Sequence, residues 1–366
     1  MSAPTPAPSA AQSVWLVAER EIGSKLRSKV FVISTAILLV GALALVIWAG
    51  FSARDTSGTP VAVTSDAAPM VSSTAGLEVT EVGDRAAAEE LVASGDVDAA
   101  VVADPASPVG FALIGDEGVS STLLLQFAQV PPVELLNPEA MNSQLAYLAA
   151  IGFGVVFLMA ASLFGGTIAQ SVVEEKQTRV VELLISAIPV RALLAGKVIG
   201  NTILAMAQIL LLAAIAVIGL TVSGQSAALA GLGGPIAWFA VFFLFGFVLL
   251  ASLFAAAASM VSRQEDIGAT TTPLTMLIMA PYFLVIFFFD NPVVLAVMSY
   301  VPFSAPVGMP MRIFLGTAEW WEPLLSLAIL IATCVAAIVI GARIYQNSLL
   351  RMGGRVKMSD ALASQR

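Results

Sequence analysis

The feature that most constrains this chain is a set of uncharged apolar runs, each about 20 residues or longer. The first, residues 30–50, holds no Asp, Glu, Lys or Arg. At a rise of about 1.5 Å per residue, such a run crosses a hydrocarbon core about 30 Å thick as one helix. Further runs lie at about 145–169, 198–222, 236–261, 268–289 and 323–342, so six helical spans are expected. Composition agrees, with 58% hydrophobic and only 11% charged residues, against about 25% charged in a soluble domain. A cleaved signal peptide is the alternative for the first run, but 29 residues precede it and it exceeds a usual signal-peptide apolar core.

Lys and Arg orient the spans. With the N-terminus inside, 14 of the 17 basic residues fall on the inner side and only Arg54, Arg85 and Arg312 on the outer. That is the asymmetry of an inner-membrane protein with both termini cytoplasmic. Residues 51–143 carry fourteen Asp/Glu against two Arg, so the acidic balance belongs to one extracytoplasmic insertion and gives no support to nucleic-acid binding.

The insertion alternates short strand-like runs at 60–65, 77–82, 97–104 and 109–115 with one helical run at 84–94, closed by Gly95. It reads as a small α/β domain. The fold class is therefore an all-α polytopic membrane protein of six transmembrane helices, with an α/β module between the first and second spans.

Residues 1–12, rich in Pro, Ala and Ser, read as disordered. Residues 13–29 space Trp15, Ala18, Ile22 and Leu26 on one helical face, leaving Arg20, Lys25, Arg27 and Lys29 to a polar flank. That suits a cytoplasmic amphipathic helix in the membrane interface, and equally a positive flank that orients the first span. Residues 144–343 hold spans two to six, and 344–366 form a cytoplasmic tail.

Between spans two and three, residues 172–189 read as an amphipathic helix with Glu175 and Arg179 as an i,i+4 pair and Pro189 as its stop. Partner docking and simple rest on the bilayer both fit that pattern. Between spans five and six, residues 290–318 contain Pro292, Pro302, Pro306 and Pro310, a density that breaks a spanning helix. An outer re-entrant or interfacial hairpin is expected there.

Much chemistry is excluded. Histidine is absent and Cys334 is the single cysteine, which removes intramolecular disulfides, Cys/His zinc sites and His-based dyads; no catalytic or metal-binding residues are assigned. The cores of the six runs carry no Asp, Glu, Lys or Arg, which argues against proton coupling. The neutral Asn201, Thr202, Gln208 and Thr270 to Thr272 leave sodium coordination open. No GxxxxGK[ST] loop is present: Gly196-Lys197 is followed by Val198.

Two segments carry a family resemblance. EEKQTRVVELLISAIPVRALLAGKVIG (174–200) resembles the hallmark segment of ABC type-2 exporter permeases, and YVPFSAPVGMPMRIFLG (300–316) is similar to the segment before the last span in their NatB-like subgroup. The order of one span, a large outer insertion and five more spans is also similar.

The resemblance implies a permease subunit of an ATP-driven exporter in a bacterial plasma membrane, forming a homodimer or heterodimer. It implies a separate ATP-binding cassette subunit that uses ATP and Mg, with no cofactor on this chain. Residues 174–188 would then be the coupling helix and 14–28 the connecting helix. Glu174, Glu175, Lys176 and Arg179 would meet the ATPase, with Glu182, Leu183, Leu184 and Pro189 completing the coupling segment, and Pro302, Phe303, Pro306, Pro310 and Arg312 would mark the outer segment. Gly152, Gly154, Gly165, Gly166, Gly196 and Gly200 would allow close helix packing. The cargo is left as sodium or an amphipathic compound. The competing reading is a membrane sensor or scaffold whose acidic outer domain binds a ligand or partner; an intramembrane enzyme lacks any catalytic grouping.

Overall fold

The computed structural model describes residues 9–54, 58–71, 76–107, 109–116, 118–119, 123–124, 127, 143–222, 226–349, 351, 356 and 358–362. The chain divides into two units, Met1–Ile47 with Met141–Arg366, and Trp48–Ala140.

The first unit is helical. Helix α1 (Ala10–Arg27) opens with a capping box in which the Ser9 hydroxyl accepts from the Gln12 amide and the Gln12 side chain returns to Ser9. Residues 10–12, expected to be disordered, are thus helical, while 1–8 lie outside the described residues. At Ser28 the chain bends by 72° into α2 (Lys29–Arg54).

The face that α1 turns inward is not the apolar one expected for the membrane interface. Val17, Ala18, Glu21 and Lys25 are buried, whereas Trp15 and Leu26 are more than half exposed. Glycine makes this possible: α1 lies along the later bundle helix Val190–Val222, where a Cβ at Gly196 would overlap Val17 and lie 2.7 Å from the Val14 carbonyl oxygen. At Gly200 it would lie 2.9 Å from the Ala18 oxygen.

The second unit contains strands β1 (Thr59–Thr64), β2 (Leu77–Val82), β3 (Ala99–Ala103) and β4 (Phe111–Ile114), with the one-turn helix α3 (Ala68–Val71) and helix α4 (Arg85–Ser94). The sheet order is β2-β1-β3-β4, parallel except for the antiparallel β3–β4 pair. Strand alternation supplies two apolar faces. Ala62, Ala100 and Val102 meet Ala88 and Val92 of α4, while Val61, Val63, Ala99 and Val101 meet Val71 and Leu123. Asp84 caps α4 through the Ala87 amide, and Gly95 ends it with φ 78°, a left-handed conformation that glycine adopts freely.

The remaining helices of the first unit are α5 (Ser143–Gln177), α6 (Val180–Ala187), α7 (Val190–Val222), α8 (Ser226–Ser259), α9 (Ile267–Phe287), α10 (Pro292–Tyr300), α11 (Ala305–Phe314), α12 (Glu322–Leu349) and α13 (Met358–Leu362). Among the described residues, five helices are long and apolar enough to cross a membrane, and the bent α1/α2 pair brings the number to six if it counts as one span. The turn expected at 262–268 contains the single 3-10 turn Gln264–Asp266. Helix α12 continues through 344–349, which the sequence assigns to the tail, and Val356 then donates its amide to the Met260 carbonyl at 2.9 Å.

Helix α8 is the most enclosed of these spans. Its Phe239, Phe243 and Phe247 repeat every four residues and meet Phe153, Phe157 and Phe164 of α5, with ring centroids 5.1, 6.0 and 5.6 Å apart. Each such pair contributes about 0.5–1.5 kcal/mol beyond its buried area. Small residues seat the neighbours: a Cβ at Gly154 would strike the Tyr282 ring and one at Gly165 the Phe254 ring, whereas Gly152 and Gly166 face open space.

Replacing Gly196 with Ala should lower the apparent Tm of the purified chain and loosen α1, read as faster proteolysis within residues 10–27. Gly23→Ala, with nothing within 4 Å of its new Cβ, should leave both unchanged.

Candidate coupling site

The segment expected to form one helix over 172–189 is broken. Helix α5 ends at Gln177, Arg179 adopts φ 57° and ψ 12°, and α6 starts at Val180. A left-handed conformation costs a side chain with a Cβ about 1–2 kcal/mol. The break prevents the Glu175–Arg179 pair, and Arg179 makes no ion pair among the described residues.

Glu175 instead turns into the bundle. Its Oε1 lies 3.0 Å from the Lys197 ammonium of α7 and also pairs with the Arg20 guanidinium of α1. Lys197 is wholly buried and donates to Glu21 Oε1 and to Ser171 Oγ, each at 2.7 Å. Arg20 reaches Glu21 at 3.2 Å. One buried cation and one half-exposed cation thus share two carboxylates from α1 and α5. Lys25 extends the polar seam by donating to the Thr167 hydroxyl.

Electrostatics follow from this enclosure. Burial works to raise the Glu21 carboxyl, but Lys197 and Arg20 outweigh it and hold the group below the ordinary carboxylate range. Burial pulls the Lys25 ammonium down to about 8; Glu21 opposes that fall and Lys197 adds to it. Tyr345 of α12 is fully buried beside these charges, and neither its hydroxyl nor Glu175 Oε2 has a hydrogen-bond partner among the described residues.

Lys176 has a separate role. It is fully buried and donates to the carbonyl oxygens of Ser259, at 2.7 Å, and Ser348, at 2.9 Å. These carbonyls close α8 and α12, so one ammonium satisfies two helix C-termini and meets the negative ends of both dipoles. Glu175 and Lys176 therefore lock five helices together and do not form the free charged end expected of them. Glu174, Arg179, Glu182 and Pro189 remain exposed, as does Leu183 at 73%, while Leu184 is partly buried against the core.

The residues 302–312 lie at the opposite end of α12. Pro302 and Phe303 form the turn between α10 and α11, and Pro306, Pro310 and Arg312 are buried in α11. Arg312 donates to Glu322 at 2.6 Å, to the Ser299 hydroxyl at 3.1 Å and to the Thr317 carbonyl at 3.0 Å. Tyr300 donates to the other Glu322 oxygen at 2.7 Å. This clamp ties the helical hairpin to the start of α12.

Sequence reasoning missed Glu21, Lys197, Glu322 and Tyr345. Two of them carried a signal: Glu21 is an acid set among basic residues, and Lys197 sits seven residues inside a helix that turns apolar immediately after it.

Lys197→Met should cost about 3–5 kcal/mol, because it removes the buried cation and leaves Glu21 and Glu175 with only the half-exposed Arg20. Adding Glu21→Gln should recover part of that loss in a denaturation cycle on the reconstituted chain. Strictly additive losses would show that the two groups are not coupled.

A family model described as ABC-2 family transporter protein matches residues 27–343. The chain is 29% identical over 218 residues to the uncharacterized protein YhaP of Bacillus subtilis (strain 168), covering 55% of this chain and 52% of that protein. It is 27% identical over 209 residues to the uncharacterized protein MJ1024 of Methanocaldococcus jannaschii, covering 56% and 51%. The matched region thus spans about half the length of these curated relatives. No solved structure matches the chain. With the family model covering most of its length, this multi-pass membrane chain belongs to the ABC-2 transporter family.

Proposed function

We propose that the chain is the permease of an ATP-driven exporter and that a separate ATP-binding cassette subunit docks on α6 at the cytoplasmic side. The observation that carries this reading is α6 itself. It is an eight-residue helix with Val181 buried, Leu183 73% exposed, and Glu182, Ser186 and Ala187 exposed around it. Isolated helices that short are marginal in water, so its form depends on its anchors. Those anchors are rigid: Glu175 and Lys176 precede it and Lys197 follows it, all in the buried polar network.

A push on α6 is then delivered to the ends of α5 and α7 together, and through Lys176 to α8 and α12. Such a unit moves as a body, because interfaces of this density rearrange between discrete packings. The 14-to-3 distribution of Lys and Arg supports placing this end in the cytoplasm, with residues 51–143 outside. The NatB-like likeness of residues 300–316 favours export of sodium or of an amphipathic compound, by a pair of permeases acting together.

Leu183→Asp should remove stimulation of the cassette ATPase by the reconstituted permease, about tenfold or more, while leaving insertion and Tm unchanged. Full stimulation by that variant would overturn α6 as the docking element. Glu174→Ala and Arg179→Ala should have smaller effects than Leu183→Asp, since exposed ion pairs contribute at most about 1 kcal/mol.

A further inference from the structure

A cavity of about 730 Å³ opens between α7, α8 and α12, with Leu194, Val198, Leu244 and Ile338 in its wall. Its two hydroxyl-bearing residues add little polarity: Thr202 donates to its own helix at the Val198 carbonyl, and Ser252 does so at Val248. The remaining polar side chains are the exposed Arg191 and Arg343 and the half-buried Gln346, contributed by the start of α7 and the last turns of α12. Neither guanidinium has an ion pair or a side-chain hydrogen bond among the described residues, and no carboxylate lines the cavity.

From Arg191 to Ile203 the groove follows about 18 Å of α7 at 1.5 Å per residue. It is apolar along its length and cationic at one end. Arg343 follows directly on the apolar run 323–342 and is exposed near the cytoplasmic end of α12, where a basic side chain meets the anionic headgroups of the inner leaflet. We propose that this groove binds one anionic phospholipid, its phosphate held at the Arg191/Arg343 end and an acyl chain lying along α7, α8 and α12. Arginine suits a phosphate because its planar fork donates two parallel hydrogen bonds. A second copy of the chain is a poorer occupant: a two-fold contact sets the same patch against itself, bringing four arginines together without an acid.

The test is native mass spectrometry of the full chain, titrated with dioleoyl-phosphatidylglycerol or dioleoyl-phosphatidylcholine. The wild type should retain the anionic lipid in preference, and the Arg191→Gln/Arg343→Gln pair should lose about tenfold in its retention along with the preference, as expected when charge-assisted hydrogen bonds are removed. Arg263→Gln, a surface change outside the groove, should bind like wild type. Ser252→Phe, which fills the wall and keeps both arginines, should also lose the lipid.

Equal retention of the two lipids by wild type, or an intact preference in the double glutamine variant, would overturn the proposal. So would full competition by soluble glycerol phosphate, which would make this an anion site without a lipid. Complete cross-linking of two chains through Ile199→Cys and Ile338→Cys in phosphatidylglycerol nanodiscs would assign the groove to a second copy instead. The measurement needs neither nucleotide nor a partner subunit, so its outcome is separate from that of the α6 experiment.

Discussion

The first unit depends on a wholly buried ammonium. Lys197 sits where α1, α5 and α7 meet, with Glu21 and Glu175 both within 3.0 Å of its nitrogen. Removing one partner from such a group leaves a charge in a medium too poor in water to solvate it. The three helices are therefore held in one arrangement by a requirement stricter than apolar contact, since apolar surfaces tolerate sliding. Lys176 imposes the same condition on α8 and α12, whose terminal carbonyls share its three donors with no other described cation. Two adjacent residues of α5 thus fix separate parts of the bundle, one facing α1 and α7 and the other facing α8 and α12.

The Arg312–Glu322 clamp performs the same task at the other end of α12. Between the two polar ends the bundle is joined by tilted and edge-to-face aromatic contacts and by small residues, and the charged groups that hold it lie toward the helix ends. This distribution separates two mechanical functions. Apolar middle sections let helices shift in small steps, while the charged ends keep their partners matched. Asn201 and Gln208 are exceptions on α7: each is buried with an amide oxygen that has no partner among the described residues. They lie seven residues apart, two turns along one helical face, and mark the polar part of an otherwise apolar section.

Elements governed by local physics were legible in the sequence. Helix α9 runs Ile267–Phe287 against an expectation of 268–289, because an uncharged run bounded by SRQED on one side and Asp290 on the other leaves little choice of ends. The strands and α4 follow from period-two alternation, the Asp84 cap and Gly95. The apolar spacing of α1, read as a face for the membrane interface, includes the exposed Trp15 and Leu26 but gave no sign of the face that packs on α7. Beside a membrane the larger apolar side chains, Trp15 and Leu26, are left on the outer face. The inner face needs room for a close neighbour and partners for buried charge, which Ala18, Glu21 and Lys25 provide. The coupling segment was misread for a related reason. The i,i+4 rule presumes an unbroken helix, and nothing in EEKQTRVV shows that Arg179 will turn left-handed. Lys176 gave no sign of its role either, because its partners are backbone carbonyls 83 and 172 residues away in sequence.

The break at Arg179 bears on how the proposed docking on α6 would work. A charged, exposed helix end would recognise a partner by Coulomb attraction, which salt at physiological strength screens within about 8 Å. With Glu175 and Lys176 committed to the bundle, the exposed surface left on α6 centres on an apolar residue, Leu183, flanked by Glu182 and Ser186. Under the proposed docking on α6, recognition would rest on burial of that side chain, with about 1.5–3 kcal/mol available from a residue of its size, and the neighbouring charge would adjust register. The charged motif would then serve the next step, by making the roots of α5 and α7 stiff enough to pass a displacement of α6 into the bundle, where a looser attachment would absorb it in the loop.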